Sequence, residues 1–225
     1  MILMQKFLYG YARAPIIHTH MMDTTFSNSL LVSRYMETPM LETLRLLLRQ
    51  ITETDIEFIY RLFSRLETNK YSSYDDLQSL GEAEKMYENY LKPGFESHFR
   101  VIVELKESRE PVGTLGLYNY SEKDLRAVLG YDLLKEYWGR GIMTEAVIEL
   151  LKYGFECLGL NRIEATVDPE NIPSVRLLER VQFIAEGRLS DRCFYKGGFH
   201  DECVFGLLKS RWLFSRFKNE VKVAH

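Results

Sequence analysis

A chain of 225 residues, 46% of them apolar, can bury one sizeable core plus an extension and does not require two domains. A formal net charge of −3 excludes wholesale binding to a nucleic-acid backbone, so no nucleic-acid partner is expected. Three cysteines (Cys157, Cys193 and Cys203), odd in number and without CxxC spacing, fit reduced thiols in a cytoplasmic protein better than a disulfide framework or a zinc site.

Residues 1–39 differ in character from the rest of the chain and read as a flexible N-terminal extension. They hold no acidic residue before Asp23 and carry Lys6 and Arg13. They lack the apolar core and cleavage site of a signal peptide, and the Arg and Ser content of a transit peptide. His18 and His20 have no carboxylate or Cys beside them, so no metal is expected. No run of about 18 apolar residues occurs, so no membrane partner is expected either. The folded domain is expected over 40–213, with 214–225 as a C-terminal tail.

From Met40 the periodicities become regular. LRLLLRQ (44–50) reads as a short strand, and Thr52 with Asp55 forms a capping-box start for a helix to about Leu66. A second helical pattern covers 81–91, before Pro93-Gly94. FRVIVEL (99–105) and VGTLGLYNY (112–120) read as strands joined by a turn at SREP, and RAVLGYDLL (126–134) as a third. Residues 142–158 are helical, with Ile142, Ala146, Val147, Leu150, Leu151 and Phe155 on one stripe. IEATVD (163–168) is a strand, 172–181 a short helix, and FIAEG and ECVFGLL are two more strands. A run of strands that then alternates with helices predicts an α+β fold with a mixed sheet, parallel around the 142–158 helix.

Between the third strand and that helix lies EYWGRGIMTEAV (136–147). Glycine costs roughly 1 kcal/mol against alanine inside a helix, so Gly139 and Gly141 at its mouth need a reason. A strand-to-helix junction leaves backbone N–H groups unpaired at the positive end of the helix dipole, which suits a phosphate. It is not a nucleotide P-loop, because no GK[ST] comes after it. It is not a dinucleotide fingerprint either, since the third glycine position is Thr144.

The stretch resembles the pyrophosphate loop of the GNAT superfamily of acetyl-CoA-dependent N-acetyltransferases, whose pattern is Q/R-x-x-G-x-G/A. Here the pattern starts at Trp138, its glycine is Gly141 and its last small residue is Met143, so two of three positions depart. Trp-Gly-x-Gly-x-x-Thr-Glu-Ala is nonetheless what the branch containing ribosomal-protein N-terminal acetyltransferases shows. DPENIPSVRLLERVQF (168–183) is similar to that branch's Asn-x-x-Ser-x-x-x-Leu-Glu helix. The resemblance runs from about Leu41 to Trp212. It implies a mostly antiparallel sheet, helices on both faces, and a splayed parallel pair at the cofactor site.

It also implies roles. Trp138, Gly139, Arg140, Gly141, Ile142, Met143 and Thr144 would hold the CoA pyrophosphate, and the strand end Tyr131–Leu133 would pair with the pantetheine amides. Asn171, read from the sequence as an N-cap, would hydrogen-bond near the acetyl group. Ser174 would donate to the departing sulfur, because the family's usual Tyr is Leu178 here. Glu186 matches the carboxylate proposed as base in this branch. Glu145 reads as a helix-dipole or packing partner, and Asp201 as a loop stabiliser. The family's glycine before the last Phe is Gln182, which costs roughly 1–2 kcal/mol if that position is left-handed. The 67–98 stretch, rich in Tyr and acids, is expected to wall the acceptor groove.

Three functions stay open at this point: an active N-acetyltransferase, a catalytically silent acetyl-CoA-binding module, and a non-CoA nucleotide-binding protein. For the first, the acceptor is a protein N-terminal α-amine or a small-molecule amine. The assembly could be a homodimer.

Overall fold

The structure is a computed structural model, and it describes residues 38–72, 74–91 and 97–214. The extension expected at 1–39 and the tail at 214–225 therefore lie almost wholly outside the described residues.

Among the described residues the fold is one eight-stranded sheet in the order β1-β2-β3-β4-β5-β6-β8-β7. Its strands are β1 (Leu41–Glu42), β2 (Leu46–Gln50), β3 (Ser97–Leu105), β4 (Pro111–Ser121), β5 (Arg126–Leu133), β6 (Arg162–Val167), β7 (Ile184–Tyr195) and β8 (Gly198–Leu208). Helix α1 (Ile56–Phe63) follows a 3₁₀ turn, and α2 (Leu66–Asn69) and α3 (Leu80–Leu91) come before β3. Helix α4 (Ile142–Lys152) links β5 to β6, and α5 (Ile172–Arg180) links β6 to β7. Neighbouring strands are antiparallel except β5 and β6, the parallel pair that the crossover through α4 requires.

Strand periodicity builds a core on each face. Val101 and Val103 of β3 point into the cluster that holds Ala146, Val147 and Leu150 of α4 and Leu178 of α5. Ile102 between them points the other way, into Phe58, Ile59, Leu62 and Phe63 of α1 and Ala83 of α3. The helix start at Thr52 is a complete capping box, and the buried Asp55 carboxylate also takes two hydrogen bonds of 2.8 Å from Arg49. The expected helix to Leu66 breaks at Ser64, whose N–H still bonds Tyr60 O.

Helix α4 stops short of the expected 158 and widens into a π turn at Tyr153–Cys157. There Gly154 packs so closely on Ile163, Leu160 and Leu117 that a Cβ would lie 3.0 Å from the nearest of them. The last two strands are much longer than FIAEG and ECVFGLL. They meet in a two-residue turn, Lys196–Gly197, with both residues left-handed as a tight hairpin demands.

Helix α5 ends in a Schellman arrangement: Phe183 N–H bonds Leu178 O at 2.9 Å and Gln182 N–H bonds Glu179 O at 3.0 Å. Gln182 therefore carries φ 75°, the left-handed conformation in which a side chain is strained. Its side chain is exposed. Gln182→Gly is expected to raise stability by about 1 kcal/mol, read as a higher midpoint in urea or thermal unfolding. An unchanged or lower midpoint would mean that the glutamine side chain contributes more than the strain removes.

Candidate active site

The site begins where the parallel pair ends. Strands β5 and β6 are bonded only from Arg126–Val128 to Arg162–Glu164. Beyond that β5 continues along β4 as far as Leu133, and β6 along β8 as far as Val167. The two inner edges diverge, and a cavity of about 970 Å³ opens between them.

The mouth of α4 lies on this cavity. Gly139 and Gly141 adopt φ 73° and 72°, and a Cβ on Gly139 would meet nothing within 4 Å. Gly141 is the N-cap and supplies no side-chain cap, so the first-turn amides are left to a ligand or solvent. Glu145 could have served that end but is held elsewhere. Thr43 Oγ1 donates to it at 2.5 Å, Arg45 N–H at 3.0 Å and Arg45 Nε at 2.6 Å. Arg45 also donates to Arg140 O at 3.1 Å, which fixes the loop from outside. Trp138 Nε1–H donates to Leu133 O at 2.8 Å and ties the loop to the strand end.

Further in, Asn171 caps α5 by accepting from Ser174 N–H at 3.3 Å. Ser174 Oγ in turn lies 2.6 Å from the Tyr131 hydroxyl. Burial pushes the Tyr131 phenol up to about 12, so it stays a proton carrier at neutral pH.

The opposite end is aromatic and acidic. Tyr74, Tyr90 and Tyr118 line it together with Arg100 and Asp132. Arg100 forms an ion pair with Asp132 and donates to Thr114 Oγ1 at 3.0 Å. Desolvation pushes the Asp132 carboxyl up and the Arg100 charge opposes it. The β7–β8 hairpin is tied to the facing loop by Lys196 Nζ and Asp76 Oδ1 at 2.7 Å.

Of the residues expected at the site, Tyr131, Leu133, Trp138, Gly139, Gly141, Ile142, Met143, Thr144, Asn171 and Ser174 all line this one cavity. Arg140 does not line it; its guanidinium lies 5.2 Å from the Tyr137 ring centroid. Glu186, the carboxylate that the resemblance made the base, does not line it either. Glu186 falls at a β-bulge between Ala185 and Gly187 and has no partner in the register. The bulge aims it over Gly206, where the missing Cβ leaves room, and Arg162 pairs with both of its oxygens. That partner holds its carboxyl below the usual range.

The sequence reading missed Glu202, Asp168 and Tyr195, which do line the cavity. The available signal was the alternation in FHDECVF once the hairpin turn at KGG is placed. Among the described residues no cluster of three His, Cys, Asp or Glu side chains is placed to hold a metal, and no helix is long and apolar enough to cross a membrane.

A family model described as an acetyltransferase (GNAT) domain matches residues 45–184. An uncharacterised N-acetyltransferase of Bacillus subtilis, YoaA, is 35% identical over 174 residues, which span 77% of this chain and 98% of that protein. An uncharacterised N-acetyltransferase of Bacillus licheniformis, p20, is 38% identical over 175 residues, spanning 76% and 97%. Among solved structures, spermidine N-acetyltransferase from Vibrio cholerae in complex with CoA and spermine superposes with a TM-score of 0.68 at 25% identity, over 76% of this chain and 99% of that one.

The geometry at Glu145 carries a pH dependence. Burial alone would raise its carboxyl, but the bonds from Thr43 and Arg45 outweigh burial and hold it below the ordinary value. A lowered carboxyl contributes stability above the unfolded pKa of about 4 and loses it as pH falls through the folded value. Glu145→Gln is therefore expected to cost about 1–3 kcal/mol at pH 7, with the gap to wild type closing below about pH 4. Urea unfolding at several pH values checks this, and a gap independent of pH would show that the charge contributes nothing.

Proposed function

The chain belongs to the GNAT acetyltransferase family, and on that premise we propose that it moves an acetyl group from acetyl-CoA to a primary amine by direct attack in a ternary complex. One observation carries this reading: the open β5–β6 edges, the uncapped mouth of α4 and the Tyr131–Ser174 hydroxyl pair share one cavity.

The residues present fit the cofactor. Amides of the Gly139–Thr144 turn would take a phosphate: a Cβ on Gly139 would meet nothing within 4 Å and one on Gly141 would meet Arg45 at 3.7 Å, while Arg176 and Arg180 of α5 line the same cavity. The inner edge of Tyr131–Leu133 has no strand partner beyond Val128, so its peptide groups suit the amides of an extended pantetheine arm. Acetyl-CoA supplies the activated thioester; the protein holds it, dries it and manages protons. Tyr131 and Ser174 are the hydroxyls that serve the departing sulfur. They do so in place of a phenol at Leu178, whose side chain is fully buried in the core.

The acceptor is an amine of the α-amino or small-molecule class. At pH 7 roughly a tenth of an α-amine is neutral, against about one in 2,500 for a lysine, so a modest base favours the former. The tyrosines and carboxylates at the far end of the cavity suit a cation. On basicity protein N-termini are the first acceptors to screen; polyamine amines are as basic as lysine, and they stand beside the N-termini because a polyamine occupies the related Vibrio cholerae enzyme. Free thiols at Cys157, Cys193 and Cys203 support a cytoplasmic setting.

Gly141→Glu is expected to abolish acetyl-CoA binding in titration calorimetry, by placing a carboxylate in the anion site and a side chain at a left-handed position. Unchanged affinity would remove the phosphate role from the loop. Tyr131→Phe is expected to keep that affinity and lower turnover by about 100-fold, the low end for loss of a general acid because Ser174 remains beside it. Turnover at the wild-type rate would pass the sulfur's proton to Ser174 or water alone.

A further inference from the structure

We propose that Glu202 is the group that receives the acceptor's ammonium and takes its proton; this rests on the acetyl-transfer reading above. The cavity's carboxylates are unevenly committed. Among the described residues five line it: Glu67, Asp132, Asp168, Asp201 and Glu202. Three already have firm partners, and a fourth is exposed at the rim. Asp132 is paired with Arg100, and Asp168 accepts from the Tyr195 hydroxyl and from Glu170 N–H. Asp201 accepts from Arg188 Nε at 2.6 Å and from Asp191 N–H at 2.9 Å. Glu67 sits at the exposed rim with Lys135 at 3.3 Å.

Glu202 has only weak partners. The Cys193 thiol approaches its Oε1 at 3.7 Å, and Arg192 Nε lies 3.9 Å from Oε2. A thiol is a weak donor, and that arginine side chain is 62% exposed and therefore screened. The carboxylate itself is only 22% exposed, so its lone pairs are sheltered and unspent.

Position agrees with the role. Glu202 precedes Cys203, which pairs with Val167 at the end of β6 where the sheet splays open. Tyr118 of β4 lines the same cavity, and the Glu202 charge bears on its phenol. The Tyr118 ring also covers Gly130 of β5, where a Cβ would lie 2.9 Å from it. Both Glu202 and the open edge of β5 at Gly130–Leu133 line the one cavity. The charged and titratable partners of Glu202 are Arg192 and Cys193 of β7; Tyr118 of β4 feels its charge, and Asp201, paired with Arg188, lies one residue along β8.

The proton of the bound ammonium passes to Glu202. The freed nitrogen lone pair forms the C–N bond to the thioester carbonyl carbon. The C–S bond breaks with its electron pair on sulfur, and sulfur takes up the proton that nitrogen sheds on becoming an amide. Glu202 then returns its own proton to solvent.

The test compares wild type with Glu202→Gln, Glu202→Asp and Glu186→Gln. The readouts are acetylation of spermidine and of a serine-initiated peptide, followed by thiol release and mass spectrometry across pH, with acetyl-CoA affinity by calorimetry. Glu202→Gln is expected to lower kcat/KM for the amine by about 100-fold or more with acetyl-CoA affinity kept, and to change the rising limb of the pH profile. Glu202→Asp is expected to recover part of the loss. Glu202→Gln at the wild-type kcat/KM, or a larger loss from Glu186→Gln, would overturn the assignment. So would a wild type that binds acetyl-CoA yet acetylates neither amine. Failure of the wild type to bind acetyl-CoA at all would instead remove the transfer reading beneath it.

Discussion

Everything at the site depends on a hydrogen-bond ladder that stops early. Strands β5 and β6 share a parallel pairing of three residues each and then part, while each remains bonded on its outer side. Buried peptide groups must find partners, so an unpaired inner edge inside a folded sheet is costly unless water or a ligand completes it. The fold thus splays between two half-sheets that stay paired on their outer sides. The mouth of α4 and the start of α5 are where they are because each helix leaves from, or returns to, the ends of those diverging strands.

Polar groups around the opening are disposed to keep it rigid. Arg100 and Asp132 are both largely removed from water, and such a pair is neither cheap nor easily broken, since deleting one partner strands the other. It joins β3 to β5 across β4 with Thr114 between them. Glu145 does the same for the outer side of the loop by joining α4 to the β1–β2 turn. Charges that could have wandered into the cleft are used to brace it.

Most of the scaffold was legible in the sequence because its periods are clean. The stripe from Ile142 to Phe155, the alternation in FRVIVEL and the Thr52–Asp55 box each report a local preference that the tertiary structure keeps. The glycine pair was legible for the same reason, since only a left-handed turn explains two of them at a helix start. Gln182 was legible through a mismatch, a side chain where the geometry asks for none. What escaped was set by long-range packing. A bulge at Glu186 turns one residue away from the face that alternation would assign it, and no local signal marks it. The length of the last hairpin, and with it the placing of Glu202, depends on cross-strand contacts that a short apolar run does not announce. The π widening at Tyr153–Cys157 follows from contact of Gly154 with residues of β4 and β6 and the loop between α4 and β6.

The bridge between Lys196 and Asp76 spans 120 positions of sequence, and Asp76 is itself held by Asn69 Nδ2 at 3.1 Å. Asn69 is fully buried and reaches back to Phe63 O of α1. The far wall of the cavity is therefore a composite, written half in the segment after α1 and half in the tip of the final hairpin. Neither half stands alone: a change at Asp76 removes at once the partner of Lys196 on the hairpin and that of the buried Asn69.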